Sequence, residues 1–171
     1  MKRLIVLSIS LLFLAFSCSK EDEMVTKLME VSFSAHGNPD ILPVQCLPED
    51  FGLVFLDGGG WISGNATHIG EVNKELSPYT VDSCSFGPKP GQITEYVSGI
   101  ITSSTTNGDS FYNYGQIVVT FEDGLLEGQI TIDDGTGKFE NASGLVLVSG
   151  LVDFNAEAVS WTGQGNVTFK K

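Results

Sequence analysis

Alternation with a period of two runs through this chain while helical periodicity is weak, and that restricts it to strands. In "AVSWTGQGNVTF" the positions Val159, Trp161, Gly163, Gly165, Val167 and Phe169 form one face. Ser160, Thr162, Gln164, Asn166 and Thr168 form the other, so the segment reads as a strand with one wetted side. Phe111, Ile117, Val119 and Phe121 mark another strand, and Leu126, Ile130 and Ile132 the next, with Glu122, Asp123 and Gly124 between them as a tight hairpin turn. Met29, Val31, Phe33 and Ala35 repeat the pattern before the turn "GNPD".

Roughly eight such segments are separated by glycine and aspartate turns, which implies an all-β fold: a small antiparallel β-barrel, with a β-sandwich as the alternative. The 20 glycines favour the barrel, because glycine inside a strand permits sharp bends and tight coiling. All six prolines, Pro39 to Pro90, lie in the first half, leaving the second half free to form unbroken central strands. "GLVLVSGLV" is apolar on both faces, so it is either buried on both sides or covered by a partner.

The first residues carry a different signal. Met1, Lys2 and Arg3 precede an apolar run from Leu4 to Phe16 that is short for a bilayer span, and Ser17 and Cys18 follow. The segment resembles a bacterial lipoprotein signal, although Leu14 stands one position further from the cysteine than usual. That resemblance implies a signal peptide over 1–17 and lipid on the Cys18 thiol; a plain secreted protein with a stray cysteine is the alternative. Residues 18–25 include Ser19, Lys20, Glu21, Asp22 and Glu23 and read as a solvated acidic tether. This tether is similar to the acid-rich signals that send lipoproteins to the outer face of the outer membrane, and it also reads as an ordinary linker. The expected location is the cell envelope, as an outer-membrane lipoprotein. Residues 26–171 then form one β-barrel domain.

With 9 basic and 21 acidic residues the chain has a net charge of −12, which repels nucleic acid. The membrane is expected as a partner only through the lipid anchor. Cys46 and Cys84 form an even pair in an oxidising compartment and are expected to be bridged, with two buried thiols as the alternative.

Few stretches come near a catalytic motif. "DDGTGKFENASG" places Gly137 beside Lys138, but a phosphate loop requires glycine where Ile132 stands and Ser or Thr where Phe139 stands. The stretch reads as a tight turn with left-handed glycines. Asp133, Asp134 and Glu140 fail the spacing of a calcium loop at Gly135. No Gly-x-Ser-x-Gly elbow occurs, and His36 and His68, the two histidines, have no zinc-ligand spacing. No catalytic residue, metal or cofactor is assigned, and whether the chain is an enzyme stays open, the residues leaning toward a non-catalytic module. Three polar residues share otherwise apolar faces and are candidates to line a cavity. They are His68 with Ile62, Ala66 and Val72; Glu95 with Ile93, Val97 and Ile101; and Asn113 with Phe111 and Ile117. An inward carboxylate would need a donor or a raised pKa.

"GNATHIGEV", "TNGDSFYNYGQ", "DDGTGKFENASG" and "WTGQGNVTF" follow one another in an order that resembles a group of small secreted bacterial proteins. That group is similar in turn to the calycin-like, eight-stranded barrel of allene oxide cyclase and the dirigent proteins. The resemblance runs from about Asn65 to the C-terminus. It implies a barrel whose plant relatives bind hydrophobic precursors and steer cyclisation or radical coupling, so a hydrophobic small molecule is a candidate partner. No working residue of those relatives matches a position here, and His68 in "THIG" is the one motif residue with side-chain chemistry. Two functions follow as expectations: a lipid-anchored binding or structural module, and a small barrel isomerase or cyclase.

Overall fold

The computed structural model describes residues 23–46, 55–105, 108–154 and 158–171. Cys18 and the signal segment lie outside the described residues. The strands are β1 (Met24–Gly37), β2 (Val44–Gln45), β3 (Phe55–Leu56), β4 (Gly59–Ala66), β5 (Gly70–Glu71), β6 (Pro78–Phe86), β7 (Gln92–Thr102), β8 (Ser110–Thr120), β9 (Leu125–Thr136), β10 (Ser143–Asp153) and β11 (Ala158–Lys170). Met24 and Val25, read from sequence as the end of the tether, belong to β1, where they pair with Lys170 and Phe169.

The main sheet runs in the order β1-β11-β10-β9-β8-β7-β6-β4, and β1 pairs again with β4. That second pairing closes eight antiparallel strands into a ring, the barrel-like arrangement expected from the alternating segments. The register at closure is continuous from Val31↔Ala66 to Gly37↔Gly60, while the other edge of β1 pairs with β11 from Met24↔Lys170 to Ala35↔Val159. Closure removes the free edges that an open sheet would expose.

Alternation along the strands sorts side chains between inside and outside. On β10, Val146 and Val148 are buried while Leu145, Leu147 and Leu151 stand exposed on the outer wall, with Leu147 60% exposed. On β11 the inward face carries Trp161, Gly163, Gly165, Val167 and Phe169. A Cβ at Gly165 would collide with the carbonyl of Leu145, so glycine lets β10 and β11 press together.

One end of the barrel is plugged. The turn "DDGTGKF" carries a short 3-10 helix at Gly137–Phe139 that inserts Phe139, fully buried, beneath the strands. Its ring meets Phe111 at 5.4 Å and Phe169 at 5.3 Å, and the side chain of Met29 is buried in the same core cluster. Gly137 holds φ at 60°, and Asp134 accepts the backbone N–H of Asn141 at 2.7 Å. The motif is thus an architectural plug.

The opposite end is crossed on one side by the two-residue ribbon of β2 and β3. Cys46 is bridged to Cys84 of β6, with Cα atoms 4.9 Å apart and a sequence separation of 38. Closing a loop of that length contributes about 4 kcal/mol in the chain-entropy picture. Among the described residues no cluster of His, Cys, Asp or Glu is arranged to hold a metal.

Because Phe139 fills the plug, Phe139→Ala should destabilise the fold by about 3–5 kcal/mol. Denaturant unfolding checks this, and an unchanged midpoint would show that the plug is dispensable.

Candidate functional site

Above the plug the barrel is hollow. A cavity of about 380 Å³ is walled by Val31, Phe33 and Ala35 of β1, Ile93 and Val97 of β7, Ile117 and Val119 of β8, and the inward residues of β9, β10 and β11. It opens at the unplugged end, where Leu56, Asp57, Phe121, Asp153 and Phe154 form the mouth. Phe121 and Phe154 face each other there with ring centroids 6.1 Å apart.

The strands position few polar side chains in this wall. Glu95 projects inward from β7 between Ile93 and Val97, and its cross-strand partner on β6 is Cys84 of the disulfide. Directly opposed residues of an antiparallel pair share a face, so the ribbon pinned by Cys46 covers this part of the wall. Burial pushes the Glu95 carboxyl up from an ordinary 4.5 to about 7, because the low-dielectric surroundings disfavour the charged form. The Glu95 carboxyl makes no hydrogen bond or ion pair with the side chain of any described residue.

Tyr79 enters from β6. Burial first, and then the carboxylates of Asp57 and Glu95, push its phenol up to about 12, so it stays a neutral hydrogen-bonding group. Those electrostatic couplings place Asp57, Tyr79 and Glu95 in one neighbourhood near the mouth. Asn113 sits deeper on β8, paired with Gly99 and Ile132. Its Nδ2 is buried with no partner among the described residues, leaving a donor directed at the cavity.

Of the three polar residues singled out from sequence, the structure brings Glu95 and Asn113 to one cavity and leaves His68 out of it. His68 lies in the turn after β4 with φ at 71°, beyond the end of the alternating segment. Its Nε2 bonds the carbonyl of Leu28 at 3.1 Å and its ring lies 5.0 Å from that of Phe169. It therefore braces the plugged end. Alternation cannot be carried across a turn, which is why face-counting from Ile62 placed it inside. Asp57, Tyr79 and Trp161 also line the cavity. Tyr79 alternates with Val81 along β6, a signal available in the sequence beside Pro78. Asp57 lies outside any alternating run and carries no such signal.

No family model matches the chain, and no curated protein matches it. Among solved structures, a pterocarpan synthase dirigent protein is similar, with 12% sequence identity over 88% of this chain and 93% of that one and a TM-score of 0.48. At that identity no side chain of one protein can be assigned to a position in the other.

The raised carboxyl of Glu95 makes stability depend on pH in a defined sense. The folded state holds its proton up to about pH 7 while the unfolded chain releases it near 4.5, so this contribution is present below the lower value and lost as pH rises through the upper one. Denaturant unfolding should show wild type losing up to about 3 kcal/mol more than Glu95→Gln between pH 4 and pH 8. Parallel pH profiles would show that Glu95 is hydrated.

Proposed function

We propose that this protein is a binding barrel that takes an apolar small molecule into its central cavity while lipid on Cys18 holds it at the cell envelope. The observation that carries the binding role is the cavity: about 380 Å³, walled by aliphatic and aromatic side chains and open at one end. Sites for small molecules combine such walls with a few convergent polar groups. Here the buried Nδ2 of Asn113 supplies a donor, which favours a ligand with at least one acceptor atom.

The anchor is supported by the sequence over residues 1–18 and by the position of the barrel's first described residue. Glu23 sits at the plugged end, where its carbonyl accepts the backbone N–H of Lys171 at 3.0 Å. A chain tethered through Cys18 would hold that end toward the membrane and turn the mouth away from it. Two or three acyl chains would suffice for stable attachment.

A second reading has one observation in its favour. A carboxyl near 7 inside an apolar chamber is able to give and take protons at neutral pH, so an isomerase or cyclase would use Glu95 as its acid or base. Chemical conversion of a bound ligand that stops in Glu95→Gln, with binding retained, would favour this reading over simple carriage.

The binding role is tested with N-phenyl-1-naphthylamine, an apolar probe that brightens in dry surroundings. Saturable binding to a single site is expected, and Ala35→Trp, which adds an indole inside the upper barrel, should weaken it at least tenfold. Undiminished binding in that variant would place the probe on the outer wall. For the anchor, Cys18→Ala should move the protein from the membrane fraction to the soluble one; unchanged retention would defeat the lipid attachment.

A further inference from the structure

The cavity is one-sided in charge. Its ionisable lining consists of Asp57, Tyr79, Glu95 and Asp153, all of which become negative when they ionise, and no Lys, Arg or His lines it among the described residues. At the plugged end Lys138, Lys170 and Lys171 are paired with Asp109, Glu140 and Glu23, whereas the open end carries Asp40, Asp57, Glu122, Asp123 and Asp153 against one described lysine, Lys89. A low-dielectric chamber entered through an acidic rim focuses a negative potential and concentrates cations at its mouth.

Each charge class of ligand meets this wall differently. An anion would be desolvated beside Glu95 and Asp57 with nothing to pair it, which is strongly unfavourable. A neutral ligand would leave Glu95 either as a buried, unpaired carboxylate or as a protonated acid. A cation would supply the counter-charge that no described residue gives Glu95, and the rings of Phe33, Tyr79 and Trp161 would add cation–π attraction. Asn113, deeper and with its donor unpartnered, is suited to an acceptor on the apolar body.

We infer that the cavity selects a lipophilic cation, an apolar molecule bearing one ammonium group that rests beside Glu95 and Asp57 while its apolar part fills the barrel. This rests on the cavity being a ligand site, and it goes further by fixing the ligand's charge. Glu95 is the residue that determines the specificity, through its charge. The titratable groups that face it are Tyr79 from β6, Asp57 ahead of β4 and Asp153 across the mouth from β10; β8 and β11 contribute Asn113 and Trp161, which do not titrate.

The test uses three ten-carbon probes that differ only in the head group: decylamine, decan-1-ol and decanoate. Each competes against N-phenyl-1-naphthylamine on the purified protein, below micelle-forming concentrations. At pH 8 decylamine should bind at least tenfold more tightly than decan-1-ol, with decanoate weakest. Because an alkylamine stays protonated across this range, its advantage should shrink toward pH 6 as Glu95 takes up a proton. Glu95→Gln should remove the advantage at both pH values, and Asp57→Asn should reduce it and weaken its dependence on salt. Equal or tighter binding of the alcohol or the carboxylate, with the reporter still displaced, would overturn the cation inference and leave the cavity as a binding site. If no probe displaces the reporter, both readings fall.

Discussion

The double pairing of β1 is the constraint on which the rest depends. Val31 is matched to Gly163 on one side and to Ala66 on the other, and Ala35 to Val159 and Ile62, so one strand satisfies both edges of the sheet. The hydrogen bonds of that closure convert a curled sheet into a chamber with a distinct inside. Without it the inward residues of β4 and β11 would face solvent, and Glu95 would lose the low-dielectric surroundings that hold its proton. Interior glycines permit the tight coil, and the Phe139 plug decides which end stays open.

Strands were legible in the sequence because their physics is local. A side chain's face follows from its parity within one segment, so Glu95 and Asn113, in the middle of long strands, could be placed with the apolar residues around them. Closure was not legible in the same way. Sandwich and barrel are built from the same alternating segments, and what separates them is a pairing between β1 and β4 across the ribbon-bearing connection. His68 illustrates the limit from the other side. A residue at positive φ in a turn has no parity, and its ring ended against Phe169 at the plug. The turn "DDGTGKF" was readable as a turn from its glycines, but that its phenylalanine stoppers the barrel depends on packing against Phe111 and Phe169, which are distant in sequence.

The site joins two opposed requirements. Apolar walls make the chamber hospitable to a hydrophobic molecule, and the same walls make a lone carboxylate costly. Glu95 is tolerated there because it can take up a proton near neutral pH. That makes it an adjustable group, neutral when the chamber is apolar throughout and charged when a counter-ion arrives. The Cys46–Cys84 bridge contributes beyond the stability of a closed loop, since Cys84 is the residue opposite Glu95 in the sheet and the ribbon it pins helps keep water from that wall. With Asp57 and Asp153 at the mouth and Glu95 within it, the opening is negative in the sense that draws cations.

The chamber's chemistry depends on the apolar, sheltered surroundings of Glu95. The most direct test of this is a carbon-13 NMR titration of the side-chain carboxyl resonance of Glu95, assigned by comparison with Glu95→Gln. The structure predicts a midpoint about 7. A midpoint at the ordinary glutamate value near 4.5 would mean that water reaches the carboxylate freely, and it would contradict the account of the barrel as a dry ligand chamber.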